Sequence, residues 1–127
     1  MNITTFDDLL LAAHHQTEPQ RLLLVFASTE LPADSTPEQA ARFEAGQGGA
    51  LAPLMCVDKT PVEIDSFASL AAEAQQFGQP WSLVFAAAMV DGPDAEAPLQ
   101  RVVEDIKRGA IGNYLPFNLR GEAVRLG

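Results

Sequence analysis

The sequence predicts a single-domain α/β fold spanning residues 1–127: a four- to five-stranded, mostly parallel sheet with helices on its faces and a C-terminal antiparallel hairpin. Three observations predict it. The chain has 127 residues, the length of one domain. Amphipathic stretches at helical spacing alternate with short apolar runs, the order of strand–helix–strand units. The apolar runs are hydrophobic at successive positions, the pattern of strands covered on both faces.

The first helix is predicted over about residues 5–16. Thr5 with Asp8 three residues later is a capping-box variant, and Phe6, Leu9, Leu10 and Ala13 form a stripe. Glu18-Pro19-Gln20 ends it, because proline lacks a donor and clashes with the preceding turn. Residues 22–27 are too few for a typical helix and apolar throughout, so they read as a central strand. Thr36-Pro37-Glu38-Gln39 opens the second helix, with Thr36 as cap, Pro37 in the first turn and Gln39 reaching back. Gly46 ends that helix. Residues 51–57 are the second strand, where Pro53 marks a bulge or a later start.

Thr60-Pro61-Val62-Glu63 repeats the capping chemistry and opens a third helix carrying Ile64, Phe67, Leu70, Ala71 and Ala74. Gly78 and Pro80 stop it. Residues 83–90 are the third strand. The fourth helix runs over about residues 97–110 on the stripe Leu99, Val102, Val103, Ile106 and Ala110. Lys107 and Arg108 favour its negative end. Residues 114–117 and 122–126 form the closing hairpin around Gly121, and Pro116 places it near a sheet edge.

Lysine plus arginine number 8 against 17 acidic residues, a formal charge of −9. That balance argues against nucleic acid, whose phosphates require cations, and against anionic lipid. The lone cysteine, Cys56, excludes an internal disulfide and a thiolate zinc site. The first residues lack the basic and apolar regions of a signal peptide, and no apolar run approaches ~20 residues. A reduced, cytoplasmic protein without cofactor or membrane contact is expected.

Four groups merit weighing as sites. Parallel strands would place Glu30, Asp58, Lys59 and Asp91 just past their C-terminal ends, where ligands bind open sheets. Cys56 lies close by, and a neighbouring ammonium favours its thiolate, although a strand cysteine is more often a small buried hydrophobe. The acidic group Asp91, Asp94 and Glu96 has oxygen ligands for a hard cation but matches no metal loop, and solvated loop carboxylates are the ordinary reading. His14 and His15 point roughly 100° apart on a helix and read as a helix C-terminus rather than a metal site. Gly46-Gln47-Gly48-Gly49 follows a helix and precedes a strand, the reverse of a phosphate loop. No Gly-x-Ser-x-Gly elbow occurs. Trp81 is an interface anchor or, more commonly, the closure of a core rim.

Phe6-Asp7-Asp8-Leu9-Leu10, Glu18-Pro19-Gln20-Arg21-Leu22-Leu23, Ala33-Asp34-Ser35-Thr36-Pro37-Glu38-Gln39, Arg42-Phe43-Glu44-Ala45-Gly46, Met55-Cys56-Val57-Asp58-Lys59, Glu96-Ala97-Pro98-Leu99-Gln100-Arg101 and Ile106-Lys107 span most of the chain. Together they resemble a short bacterial family often labelled ribonucleotide reductase subunit alpha. The resemblance implies a compact cytoplasmic protein. It does not imply the labelled reaction, because a reductase catalytic subunit resembles a far larger barrel with several cysteines.

The function expected from these residues is a small non-catalytic cytoplasmic interaction module that binds an unknown protein partner or itself. The exposed part of the C-terminal hairpin is the expected docking edge. The alternative is a small-ligand binder or enzyme, with Glu30, Cys56, Asp58, Lys59 and Asp91 at the strand ends.

Overall fold

The computed structural model describes residues 2–31, 33–44, 50–78 and 80–125. Helix α1 (Phe6–His14) leads into strand β1 (Gln20–Glu30), then α2 (Pro37–Glu44) and β2 (Ala50–Lys59). A single 3-10 turn, Pro61–Glu63, precedes α3 (Phe67–Gln75). Strand β3 (Leu83–Val90), α4 (Glu96–Lys107) and β4 (Leu115–Phe117) complete the order. The strands form one sheet in the order β2-β1-β3-β4.

Every neighbouring pair in that sheet is antiparallel, which corrects the expectation of a mostly parallel sheet. The helices do lie on both faces, and the reason for the difference follows from that. Leu22, Leu24 and Phe26 of β1 enter a core with α1, α3 and Phe117. Leu23, Val25 and Ala27 enter a second core with α4. A strand covered on both faces is apolar throughout, whichever way its neighbours run. Apolarity therefore reports coverage and says nothing of direction. Strands β2 and β3 do run the same way, joined through α3, but β1 lies between them and opposes both.

The local signals act at close range and are visible in the structure. Thr5 Oγ1 accepts from the Asp8 amide at 3.2 Å, and the Asp8 carboxylate accepts from the Thr5 amide at 3.1 Å. Thr36 and Gln39 cap α2 in the same reciprocal manner, at 3.2 and 2.9 Å. The register between β1 and β2 shifts at Phe26/Ala27, opposite Pro53, so that proline does mark a bulge. The expected helix stop at Gly46 and the cluster Gly46-Gln47-Gly48-Gly49 lie outside the described residues.

The third helix starts later than its sequence suggests. The Thr60–Glu63 box forms, with the Glu63 carboxylate accepting from the Thr60 amide at 2.8 Å, but it closes only the 3-10 turn. Ile64 then takes extended backbone and turns into the core. Ser66 caps the true helix by accepting from the Ser69 amide at 3.2 Å, and Asp7 of α1 accepts from the Phe67 amide at 3.0 Å. Ser66→Ala is expected to cost about 0.5–2 kcal/mol of stability in urea denaturation. An unchanged midpoint would show that Asp7 alone suffices as the cap.

Candidate functional site

Because β2 and β3 both oppose β1, their C-terminal ends meet at the start of β1. Arg21, the second residue of β1, stands there between them. Its Nη1 donates to Asp58 Oδ2 at 2.6 Å and its Nε to Asp91 Oδ1 at 2.8 Å. The Asp91 and Asp58 hydrogen bonds raise the guanidinium pKa above its ordinary value. Lys59 Nζ pairs with Glu73 Oε1 of α3 at 3.2 Å. The Glu63 carboxyl is held below its ordinary value, first by the Thr60 amide and then by its hydroxyl.

Asp58, Lys59 and Asp91 thus share one end of the sheet. Glu30 does not join them, because an antiparallel β1 carries it to the opposite end, where it pairs with Ala50. That end is roughly 30 Å away at ~3.4 Å per residue. Arg21 is not among the candidates that the sequence suggests. Its guanidinium bridges two carboxylates that lie 37 and 70 residues away along the chain, so no local spacing reveals it. The arrangement is a cross-brace over three strand ends. Arg21 is shared between the two carboxylates, and Lys59 faces Glu73.

The second feature lies along β2, which is an edge strand of ten residues. Its outer side has no strand partner among the described residues. Beside it runs a groove of about 210 Å³ between β2 and α3, lined by Phe26, Met55, Val57, Leu70, Ala74 and Phe77. Cys56 also borders this groove, and it is exposed rather than a buried hydrophobe. Glu73 and Lys59 border it too. Phe77 is 68% exposed, unusual for a phenylalanine.

The opposite edge, at the C-terminal hairpin where docking was expected, is short and partly paired within the chain. Strand β4 has three residues, and the chain folds back so that Phe117 bridges Ala123 and the Val124 amide donates to Pro116. Gly121, at φ 77°, makes the expected turn. The Ala123 amide then donates to Thr4 and the Phe6 amide to Gly121, which adds a further layer of backbone.

The other candidates resolve in structural terms. His14 ends α1 and His15 caps it. Asp91 is held by Arg21, and among the described residues no three His, Cys, Asp or Glu side chains are grouped to hold a metal ion. Trp81 is buried, with its ring 4.9 Å from Phe26 and 6.4 Å from Phe67, and so closes the core. Among the described residues no helix is long and apolar enough to cross a membrane.

A separate polar group joins α4 to the segment before β4. The Tyr114 hydroxyl donates to Asp105, which also binds Arg108. These bonds, Tyr114 first, hold the Asp105 carboxyl below its ordinary value. Burial, then the Asp105 bond, raises the Tyr114 phenol. Asp8 and Glu122 are also lowered, chiefly by the Thr4 amide and the Asn118 side chain respectively.

A carboxyl depressed in the fold stabilises it above the unfolded pKa and loses that contribution as pH falls through the folded value. A phenol raised in the fold stabilises it below the unfolded pKa and loses that contribution as pH rises. The urea midpoint is therefore expected to fall below about pH 4 and again above about pH 10. Tyr114→Phe should weaken the alkaline loss. A wild-type midpoint unchanged between neutral pH and about pH 3 would contradict the carboxylate part.

Comparison with protein-family models, curated proteins and solved structures finds no match for this chain.

Proposed function

We infer that the chain is a small, non-catalytic cytoplasmic interaction module whose docking surface is the free edge of β2 with the groove beside α3. The observation that carries this reading is the pairing of two features on one side of the molecule. Among the described residues, the outer backbone donors and acceptors of this ten-residue edge strand have no strand partner. An apolar groove next to it can take side chains from an added strand. Backbone pairing plus a flanking groove is how sheet-edge recognition obtains both affinity and selectivity. The charge cross-brace around Arg21 supports a structural role for the strand ends, because it ties the end of β2 at Asp58 through β1 to Asp91 after β3.

The single cysteine makes the test direct. Cys56 is exposed on β2 and accepts a thiol-reactive photocrosslinker. In native cytoplasm, illumination is expected to give a discrete adduct with a polypeptide partner. A Cys56→Ser/Arg120→Cys variant carries the same reagent on the distant turn, where the Arg120 side chain is 82% exposed, and should not give that adduct. Absence of any adduct from Cys56, or identical adducts from both positions, would contradict the docking surface.

A further inference from the structure

We propose a separate small-molecule site on the other face of the sheet: a pocket between β3 and α4 that takes a monocarboxylate with an apolar body. The face that β3 turns toward α4 carries Leu83, Phe85, Ala87 and Met89 in alternation. The first two are buried and the last two only partly covered. Helix α4 packs chiefly over β2 and β1, so the end of β3 lies beside it rather than beneath it. Ala87 on the strand and Ala97 on the helix are too short to fill the gap. What remains is a cavity of about 500 Å³, within the range of pockets that hold small ligands. Leu23 and Val102, both buried, line it together with Met89 and Tyr114. The groove beside β2 lies on the opposite face, with Phe26 and Leu70, so the two sites stand or fall separately.

Charge decides the ligand. The chain has 17 acidic residues against 8 basic ones, and carboxylates border other cavities: Glu73 beside β2, Glu18 and Asp91 near the start of β1, Asp58 and Glu96 before α4. Around this cavity the balance reverses. Arg101 is the one charged residue among the described residues that line it. Arg21, Lys59, Lys107, Arg108 and Arg120 each face a carboxylate within ion-pair distance, whereas Arg101, among the described residues, faces none. Asp105, four residues on and so on the same side of the helix, is engaged instead by Tyr114 and Arg108. A guanidinium left without a partner beside an apolar cavity suits a planar carboxylate, which it binds through paired hydrogen bonds. One guanidinium balances one negative charge, so a monoanion fits better than a dianion in a chain of net charge −9. The apolar walls favour hydrocarbon for the rest of the ligand.

The test uses the intact protein and three probes that share one hydrocarbon chain: octanoate, octanamide and octylamine. Amide chemical shifts locate binding, and titration gives its strength. Octanoate is expected to move the amides of residues 87–89 and of Arg101 and Val102, and to leave those of α3 unmoved. Octanamide should bind about tenfold more weakly, and octylamine, a like charge to Arg101, should not bind. Arg101→Gln, at an exposed helix position, should bring octanoate down to the level of octanamide and leave octanamide unchanged. Ala97→Leu, also at an exposed helix position, should abolish binding of both by filling the cavity, with the circular dichroism spectrum unaltered. Equal binding of the three probes, or octanoate shifts confined to the β2 groove, would overturn the proposal. So would wild-type octanoate binding by Arg101→Gln or by Ala97→Leu, or no shift at octanoate concentrations up to about 10 mM.

Discussion

Phe6→Ala is expected to lower the unfolding free energy by about 3–5 kcal/mol, the cost of emptying a buried aromatic site. Phe6 begins α1 and is fully buried. Its ring lies 5.5 Å from that of Phe67 in α3 and 5.4 Å, edge-on, from that of Phe117 in β4. One side chain therefore joins the first helix, the third helix and the last strand. Edge-to-face contacts of this kind add about 0.5–1.5 kcal/mol beyond the buried area. Against a total stability of ~5–15 kcal/mol, the loss is a large fraction of the whole. Urea denaturation measures it, and Phe6→Leu should recover most of the deficit because volume is partly restored. A Phe6→Ala loss below about 1 kcal/mol would mean that the three-ring contact is not tightly packed.

Gly121→Ala should also be severe, for two reasons that a control can separate. Gly121 has φ 77°, a left-handed conformation that costs an ordinary residue about 1–2 kcal/mol. An added Cβ would also lie 2.8 Å from both Cγ and Cδ2 of Phe67. That ring stands between Phe6 and Trp81, so it has little room to withdraw. Overpacking of this kind costs about 1–3 kcal/mol, and the expected total is about 2–5 kcal/mol. Gly109 has nearly the same dihedral, φ 76°, yet a Cβ added there would meet no atom within 4 Å. Gly109→Ala should therefore show the conformational cost alone. Equal losses at the two glycines would contradict the Phe67 contact.

What can be read from the sequence is what acts over a few residues. The Thr5–Asp8 and Thr36–Gln39 boxes, the bulge at Pro53 and the turn at Gly121 are all local chemistry. So are the extent of β3, set by an apolar run, and the stripe of α4, although that helix ends at Lys107 rather than near Ala110, ahead of Gly109 at φ 76°. The Thr60–Glu63 box shows the limit of such signals: it forms, yet Ile64 leaves the helical path to reach the core, and Ser66 has to cap afresh. Strand direction is not legible, because double coverage makes β1 apolar in either sense. Arg21 escapes notice for a related reason, since both its partners are supplied by chain folding rather than by spacing.

The place of Cys56 is hidden in the same way. Residues 51–57 look as apolar as residues 22–27, but one segment is an edge and the other is central. Their burial separates them: β1 is buried from Leu22 to Ala27, whereas no residue of β2 is fully buried. Pro53 carries a second message besides the bulge, since proline within a sheet favours edge strands. Asp58, Lys59 and Asp91 do share one end, although the parallel arrangement that groups them also sends Glu30 to the wrong end. They meet because two strands flank β1 in the same sense, which a fully parallel sheet would also produce.

Amide hydrogen exchange along residues 50–59 tests the free β2 edge most directly. An edge open to solvent exposes every second backbone amide, so protection should alternate along β2 in the isolated chain and should not change with protein concentration. Uniform protection of the whole strand at every concentration would show the edge already covered and would contradict the docking surface.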